Sequence, residues 1–261
     1  MRILTICLSR LAAIFLIAGG HTLPVIAEEK ILHFEANSAA DYEGRGLSIY
    51  SNIVWSFWAP ITERGFRLRA GSITSLYGMT PSSVFSAGFL PRDIDTITDL
   101  MLGYQLQAGT GWLKLYAGAG YDTDTRLIWE ALDQTSNHAW GAKLAAESWW
   151  RLGERSWASA DLSWLQIDNI SSLYTRAGYD LIRFEAGLNI AVGIEASASR
   201  NDAAHFNIGH RYYVENDYYR GGALLNVKYR AHDLTLSGGI AESSDNSETH
   251  PYAILSYGRK F

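Results

Sequence analysis

The chain has 261 residues, of which 22 are basic and 27 acidic, so its formal net charge is −5. This mild acidic excess argues against a nucleic-acid-binding protein, which would carry a basic surface, and a hydrophobic fraction of 48% excludes a disordered chain. Cys7 is the only cysteine, which excludes a disulfide framework and a cysteine-based zinc site.

The first 27 residues have the pattern of a secretory signal peptide. Arg2 and Arg10 make the start basic, residues 11–18 are a short apolar run, and Ala27 offers a small residue at the cleavage position. The alternative is an N-terminal membrane anchor, but the apolar run is too short to span a bilayer as a helix. We expect cleavage after Ala27, which leaves residues 28–261 as one domain.

Apolar and polar residues alternate with a period of two along the rest of the chain. The clearest alternation covers residues 47–57, 100–106, 113–119, 184–194, 223–229 and 234–240, and a less regular form covers 31–36, 65–77, 139–150, 156–166, 172–181 and 251–261. Successive side chains of a strand point to opposite faces, so each segment predicts a strand with one apolar and one polar face. The count predicts about 12 strands, within a range of 10 to 14.

Four features favour an all-β, antiparallel transmembrane barrel over a soluble β-sandwich, which is the alternative. The strands have the length that crosses a bilayer at a tilt, and many of the 9 Trp and 15 Tyr lie near strand ends, where interface belts form. The chain ends on a strand at Phe261, as outer-membrane barrels commonly do, although Arg259 stands where the usual pattern has an apolar or aromatic residue. Short links at 108–110, 152–154 and 231–232 alternate with long polar links at 78–96, 122–137, 196–218 and 243–250.

The polar faces of the predicted strands carry charges of both signs, which we expect to project into the lumen of the barrel. The candidates are Arg67, Arg69, Lys114, Lys143, Glu147, Asp161, Arg176, Glu185 and Lys228. A charge in a narrow lumen must be paired or hydrated. Two interpretations therefore stay open: a barrel plugged by interior ion pairs, and a polar conduit or a site for the end of a glycan.

Enzymatic chemistry has weak support in this sequence. His205 and His210 are the best candidate bases, and Ser197 and Ser199 are nearby hydroxyls for a barrel lipid hydrolase. The nucleophile signature G-x-S-x-G is absent from the sequence. We therefore predict a protein that is not an enzyme, with no catalytic residues and no cofactor.

The long polar links hold two further candidate features. Carboxylate pairs occur at Asp93 with Asp95 and at Asp122 with Asp124, but the further ligands of a calcium loop are missing, so we interpret them as solvated loop charges and predict no metal site. Aromatic rings in the same links are candidates for stacking on sugar rings, with an interface belt as the alternative interpretation. These loop aromatics are Trp129, Tyr212, Tyr213, Tyr218 and Tyr219.

Five short motifs follow one another along most of the chain: GFRLR at 65–69, DLMLGYQ at 99–105, YAG at 116–118, RAGY at 176–179 and LTLSGG at 234–239. As an ordered set they resemble the cellulose biosynthesis protein BcsS family of Gram-negative bacteria. The resemblance implies an outer-membrane barrel associated with bacterial cellulose production. It implies no enzymatic activity and supplies no functional residues that would transfer to this chain.

The sequence thus predicts a non-enzymatic outer-membrane barrel, exported by its signal peptide, that is accessory to cellulose biosynthesis or export. The predicted partners are outer-membrane lipid and, as candidates, cellulose or components of the cellulose synthase complex, with no nucleic acid. One alternative is a general small-solute channel. The other is a lipid-modifying barrel enzyme, which predicts a His–Ser pair within about 3 Å at one rim, with His205 or His210 as the base.

Overall fold

A computed structural model describes residues 33–43, 46–77, 93–128, 133–184, 186–207, 210–244 and 249–261. At residues 93, 126–128, 133–137, 202–207 and 210–216 it describes the backbone alone. The expected signal peptide, residues 1–27, lies outside this part of the chain and stays a prediction.

The described residues form twelve antiparallel strands that close into a barrel, which confirms the predicted fold class. Each strand pairs with the next in the chain, and the last pairs with the first. The strands are β1 (Phe34–Glu43), β2 (Gly46–Ser56), β3 (Gly65–Tyr77), β4 (Asp93–Ala108), β5 (Gly111–Ile128), β6 (Asp133–Arg151), β7 (Ser156–Leu165), β8 (Ile170–Arg183), β9 (Leu188–Asn207), β10 (His210–Tyr229), β11 (His232–Ser243) and β12 (Thr249–Lys260).

The barrel wall has an apolar outer face and a polar inner face, as a protein surrounded by lipid requires. On β4, Leu100 and Leu102 point outward and are more than half exposed, whereas Asp99 and Gln105 point inward and are buried. A soluble barrel would bury its apolar side chains and expose its polar ones, so an apolar outer wall is suited to hydrocarbon. Among the residues that the structure describes, no helix is long and apolar enough to cross a membrane.

At the rim where the chain starts β1 and ends β12, four of the five links between strands have two to four residues, and the link between β2 and β3 has eight. Strands β4 and β5 are joined there by residues 109–110, and β10 and β11 by residues 230–231. Short turns face the periplasm in outer-membrane barrels, so we call this the periplasmic rim. The opposite rim has fewer loop residues than predicted, because β5, β6, β9 and β10 extend through most of the links 122–137 and 196–218. The prediction of long loops was therefore wrong for residues 122–137 and 196–218, whereas residues 78–92 do separate β3 from β4.

A row of aromatic rings runs around one side of the periplasmic rim. Neighbouring ring centroids lie 4.5 to 6.1 Å apart, in the order Phe34, Trp55, Phe57, Trp58, Phe66 and Tyr104. Towards the opposite rim, Tyr121 and Trp140 pack against each other at 4.6 Å. Aromatic side chains prefer the interface between hydrocarbon and water, so the two groups mark the edges of the membrane-facing band.

Candidate functional site in the barrel lumen

Eight of the nine predicted lumen residues lie on the inner face of the barrel, while Glu185 lies outside the described residues. Their neighbours on the same strands alternate between buried and exposed, and several of their contacts join strands that are not adjacent in the sheet, so those contacts pass through the interior. The eight residues are Arg67, Arg69, Lys114, Lys143, Glu147, Asp161, Arg176 and Lys228.

A first group of charges, the basal cluster, joins β1, β3, β4, β5 and β6 across the interior. Lys143 Nζ lies 2.6 Å from Asp99, Arg69 Nη1 lies 2.9 Å from Glu147, and Lys114 Nζ lies 3.4 Å from Glu35 and 3.7 Å from Glu147. Three strands separate β1 from β5, so the Lys114–Glu35 pair crosses the lumen. The basal cluster consists of Glu35, Arg69, Asp99, Lys114, Lys143 and Glu147.

The basal cluster is well shielded from water. The side chains of Lys114, Lys143 and Asp99 are exposed by only 5%, 7% and 3%. Trp112 adds to this shielding, because Lys114 Nζ lies 4.6 Å from the centre of its ring. Buried charges are tolerated when they are paired and hydrogen-bonded. The cluster satisfies that condition with charges supplied by five different strands, and so it ties one side of the barrel wall to the other.

A second group, the upper cluster, lies further from the periplasmic rim and is built around Arg220. Its guanidinium lies 2.5 Å from Asp41 on β1 and over the rings of Tyr252 and Tyr174, at 5.2 and 5.5 Å. Three tyrosine hydroxyls donate hydrogen bonds to the carboxylates of Glu43 and Glu195. The upper cluster consists of Asp41, Glu43, Tyr174, Glu195, Tyr218, Arg220 and Tyr252.

The periplasmic mouth is covered on one side by the link between β2 and β3, residues 57–64. Arg67, whose side chain is fully buried, donates to the backbone carbonyls of Pro60, Ile61 and Glu63 in this link and to the hydroxyl of Ser56. Ile61 is itself only 2% exposed. Because an inward-facing guanidinium holds these carbonyls, the link folds over the mouth and does not extend away from it.

The inner wall formed by β7, β8, β10 and β11 is more accessible than the two clusters. Arg176 and Asp161 lie 3.8 Å apart with side chains 29% and 37% exposed, and Lys228 and Asp233 lie 3.3 Å apart at 39% and 42%. Ion pairs with this exposure contribute about 0–1 kcal/mol to stability. Among the described lumen charges, those on this wall are therefore more accessible to water than those of the two clusters.

The aromatic residues predicted to lie in loops belong to a strand where the structure describes them. Tyr212, Tyr213, Tyr218 and Tyr219 are all part of β10, so the predicted location in a loop was wrong for these four, and their stacking on sugar rings stays a prediction. Tyr218 points inward to Glu43, and Tyr219 points outward and is 54% exposed. Trp129 lies outside the described residues.

The carboxylate pairs that we interpreted as loop charges also lie in strands. Asp93 and Asp95 belong to β4, Asp122 and Asp124 belong to β5, and Asp95 is the register partner of Asp124. The loop interpretation was wrong because both strands continue beyond the membrane-facing band. In the part of the chain that the structure describes, no group of three or more His, Cys, Asp or Glu residues is placed to hold a metal ion.

The candidate catalytic histidines lie on neighbouring strands, His205 on β9 and His210 on β10. Their side chains lie outside the described part of the structure, so the proposed pairing with Ser197 or Ser199 stays a prediction. The register places Ser197 opposite Arg220, in the row of the upper cluster.

Sequence reasoning missed nine of the thirteen residues of the two clusters as lumen residues, among them five of the six carboxylates. Asp99 and Glu195 alternate with the apolar residues of β4 and β9, so period-two alternation alone could have identified them. Asp41 and Glu43 were missed because the predicted first strand ended at residue 36, whereas β1 runs to Glu43. Glu35 lies inside that predicted strand, between Phe34 and Ala36, so alternation could have identified it as well.

The closed antiparallel barrel, with an apolar outer wall and a charged interior, is of the outer-membrane type. Among solved structures it is similar to an outer membrane channel from Pseudomonas putida F1, at 13% identity and a TM-score of 0.52, over 92% of this chain and 100% of that one. LpxR from Salmonella typhimurium matches at 12% identity and a TM-score of 0.51, over 87% and 100% of the two chains. The beta domain of the Bordetella autotransporter BrkA also matches at 12% and 0.51, over 89% and 100%.

Likeness at such low identity shows the fold and nothing further. A search of curated proteins found no match. The model of the cellulose biosynthesis protein BcsS family matches residues 36–248, most of the chain. The chain belongs to the BcsS family.

Proposed function

We propose that this protein is a non-enzymatic outer-membrane barrel that serves cellulose biosynthesis or export as an accessory with a closed lumen. Family membership supports the link to cellulose. The observation that carries the closed lumen is the Lys114–Glu35 pair, which joins opposite sides of the wall while both side chains are mostly buried. A barrel closed in this way acts through its surfaces, so we place contact with cellulose or with components of the synthase complex at a rim.

Both clusters favour a closed lumen over a conduit. A glucan chain or a hydrated ion would have to displace the basal cluster, the upper cluster and the link at residues 57–64 in turn. Leaving one partner of a buried ion pair without the other costs about 3–5 kcal/mol. Passage would therefore require a rearrangement of the interior at several levels.

Deletion of the gene is expected to change the amount of extracellular cellulose, measured by dye binding under conditions where the synthase is active. Re-expression of the wild-type chain should restore it, and fractionation should place the tagged protein in the outer membrane. Unchanged cellulose with an active synthase would contradict the accessory role. Recovery of the protein without detergent would contradict the location.

The second candidate function is a small-solute channel, and the exposed wall at Arg176 and Asp161 favours it. We expect the purified wild-type barrel to show no steady conductance in planar bilayers, because the two clusters and the link at 57–64 close the lumen. Replacing Lys114 and Arg220 together by alanine should produce open events, since it removes one cation from each cluster.

The matched control for this conductance measurement is Arg183→Ala, which removes a cation near the periplasmic rim that is 45% exposed. This variant, like the wild type, should show no steady conductance. Steady conductance of the wild-type protein would support the channel and contradict the closed lumen.

A further inference from the structure

The outer wall contains a groove that a uniformly apolar barrel surface would lack. It has a volume of about 580 Å³ and lies on the outer face of β12, β1, β2 and β3, next to the periplasmic rim. Its floor consists of small side chains that alternation turns outward, namely Ala36, Ser38, Ser51, Ala70 and Ser72. Its walls consist of Phe34, Ile53, Tyr257 and Phe261.

The groove has a defined shape because its walls are fixed. Phe34 stacks against Trp55 at 6.0 Å, and the hydroxyl of Tyr257 lies 2.7 Å from Nδ1 of His232. The outward positions of β4 carry Leu100, Leu102 and Leu106, so the floor is a depression relative to that wall. A depression in a membrane-facing wall leaves the atoms around it without packing partners unless something flexible fills it.

Arg259 lies at the periplasmic end of the groove and faces outward with Tyr257 and Phe261. Its guanidinium stacks on the ring of Phe261 at 4.5 Å, and its Nε is buried without a hydrogen-bond partner. Among the described residues it has no carboxylate partner, whereas Arg69, Lys114, Lys143 and Arg220 in the lumen all have one. This is the position where the sequence departs from the usual terminal pattern of an outer-membrane barrel.

The location of Arg259 indicates which kind of ligand its guanidinium would bind. The row of aromatic rings that includes Phe34 and Trp55 marks the periplasmic edge of the hydrocarbon, which is the level of lipid phosphates. An unpaired guanidinium at that level needs an anion, and it binds phosphate with two parallel hydrogen bonds. The groove runs from this cation into the membrane-facing band, and its floor can accept an acyl chain.

We propose that this groove is a binding site for a phospholipid of the periplasmic leaflet. The phosphate lies on Arg259, and an acyl chain lies along the floor from Ala36 past Ser38 and Ser51, with Tyr257 on one side and Ile53 on the other. The site is independent of the proposed role in cellulose biosynthesis, since it requires only that the barrel spans the outer membrane.

The test measures how much phosphatidylglycerol stays bound to the full-length barrel, purified in detergent and analysed by native mass spectrometry. Arg259→Gln is expected to weaken binding about tenfold, the loss typical of one charge-assisted contact. Arg230→Gln is the matched control, because Arg230 lies at the same rim and also stacks on an aromatic ring, that of Tyr229 at 5.1 Å, but lies outside the groove. It should bind like the wild type.

A second variant tests the floor of the groove without touching the cation. Ala70→Leu should fill the depression and lower phosphatidylglycerol binding while Arg259 remains. Unboiled gel mobility checks that each variant is folded. Equal binding by the wild type, Arg259→Gln and Ala70→Leu would overturn the proposal. It would also be overturned by a lipid-free dimer that Ala70→Leu dissociates, because that result would identify a second copy of the chain as the occupant.

Discussion

Replacing Arg67 by alanine is expected to destabilise the barrel more than any other single change of a lumen charge. Arg67 is fully buried and is the shared donor for three carbonyls of the link at residues 57–64 and for Ser56. Each buried acceptor that loses its donor costs about 1–3 kcal/mol. We expect the urea midpoint of the folded barrel in detergent to fall markedly, followed by the loss of its compact mobility on unboiled gels.

The control for Arg67→Ala is Arg64→Ala, because Arg64 belongs to the same link but is exposed. Its unfolding midpoint should stay within error of the wild type, as expected for a surface substitution. If the two variants unfold alike, the link does not depend on Arg67, and the account of the closed periplasmic mouth fails.

Gly222→Ala is expected to impair assembly of the barrel strongly. An added Cβ at this inward-facing position would lie 2.3 Å from the carbonyl oxygen of Gly238 on β11 and 2.3 Å from the hydroxyl of Tyr252 on β12. A backbone atom cannot yield as a side chain does, so β10 and β11 must separate locally and the upper cluster loses its Tyr252 contact. Overpacking of this kind costs about 1–3 kcal/mol or more. The measurement is the folded fraction after refolding into detergent.

The neighbouring glycine provides the matched control. Gly221 lies on the same strand but faces outward, and an added Cβ there meets only the carbonyl oxygen of Glu195, at 3.9 Å. Gly221→Ala should refold like the wild type. If the two variants refold equally well, the backbones of β10 and β11 lie further apart at Gly222 than they do in the structure.

The sequence predicted the barrel well where the membrane imposes a pattern. Within the hydrocarbon the outer face must be apolar and the inner face polar, so period-two alternation is strong on β4, β5 and β9. Beyond the membrane the outer face meets water and no longer needs apolar residues. The backbone ladder of β9 and β10 nevertheless continues to Asn207 and His210. Alternation therefore could not distinguish these strand ends from polar loops.

The pairing of the lumen charges could not be predicted from the sequence. Alternation assigns Lys114 to an inner face, but its partner Glu35 lies 79 positions away on a strand that meets β5 only across the interior. That proximity depends on the closure of the barrel and on the stagger between its strands. Neither quantity leaves a local signal in the sequence.

Because the strands differ in length, their described ends at the rim opposite the periplasmic rim lie at different heights. At about 3.3 Å per residue, β9 and β10 have a length of about 66 Å each, while β1 has only about 33 Å. Strands β4, β5 and β6 form a second tall region, and the shorter β7 and β8 lie between the two. The ends of the described strands thus form a saddle with two crests. Where the structure describes them, the strand ends are therefore lower along the line from β1 to β7 and β8 than along the line from β4–β6 to β9 and β10, so this rim of the barrel has one low axis and one high axis.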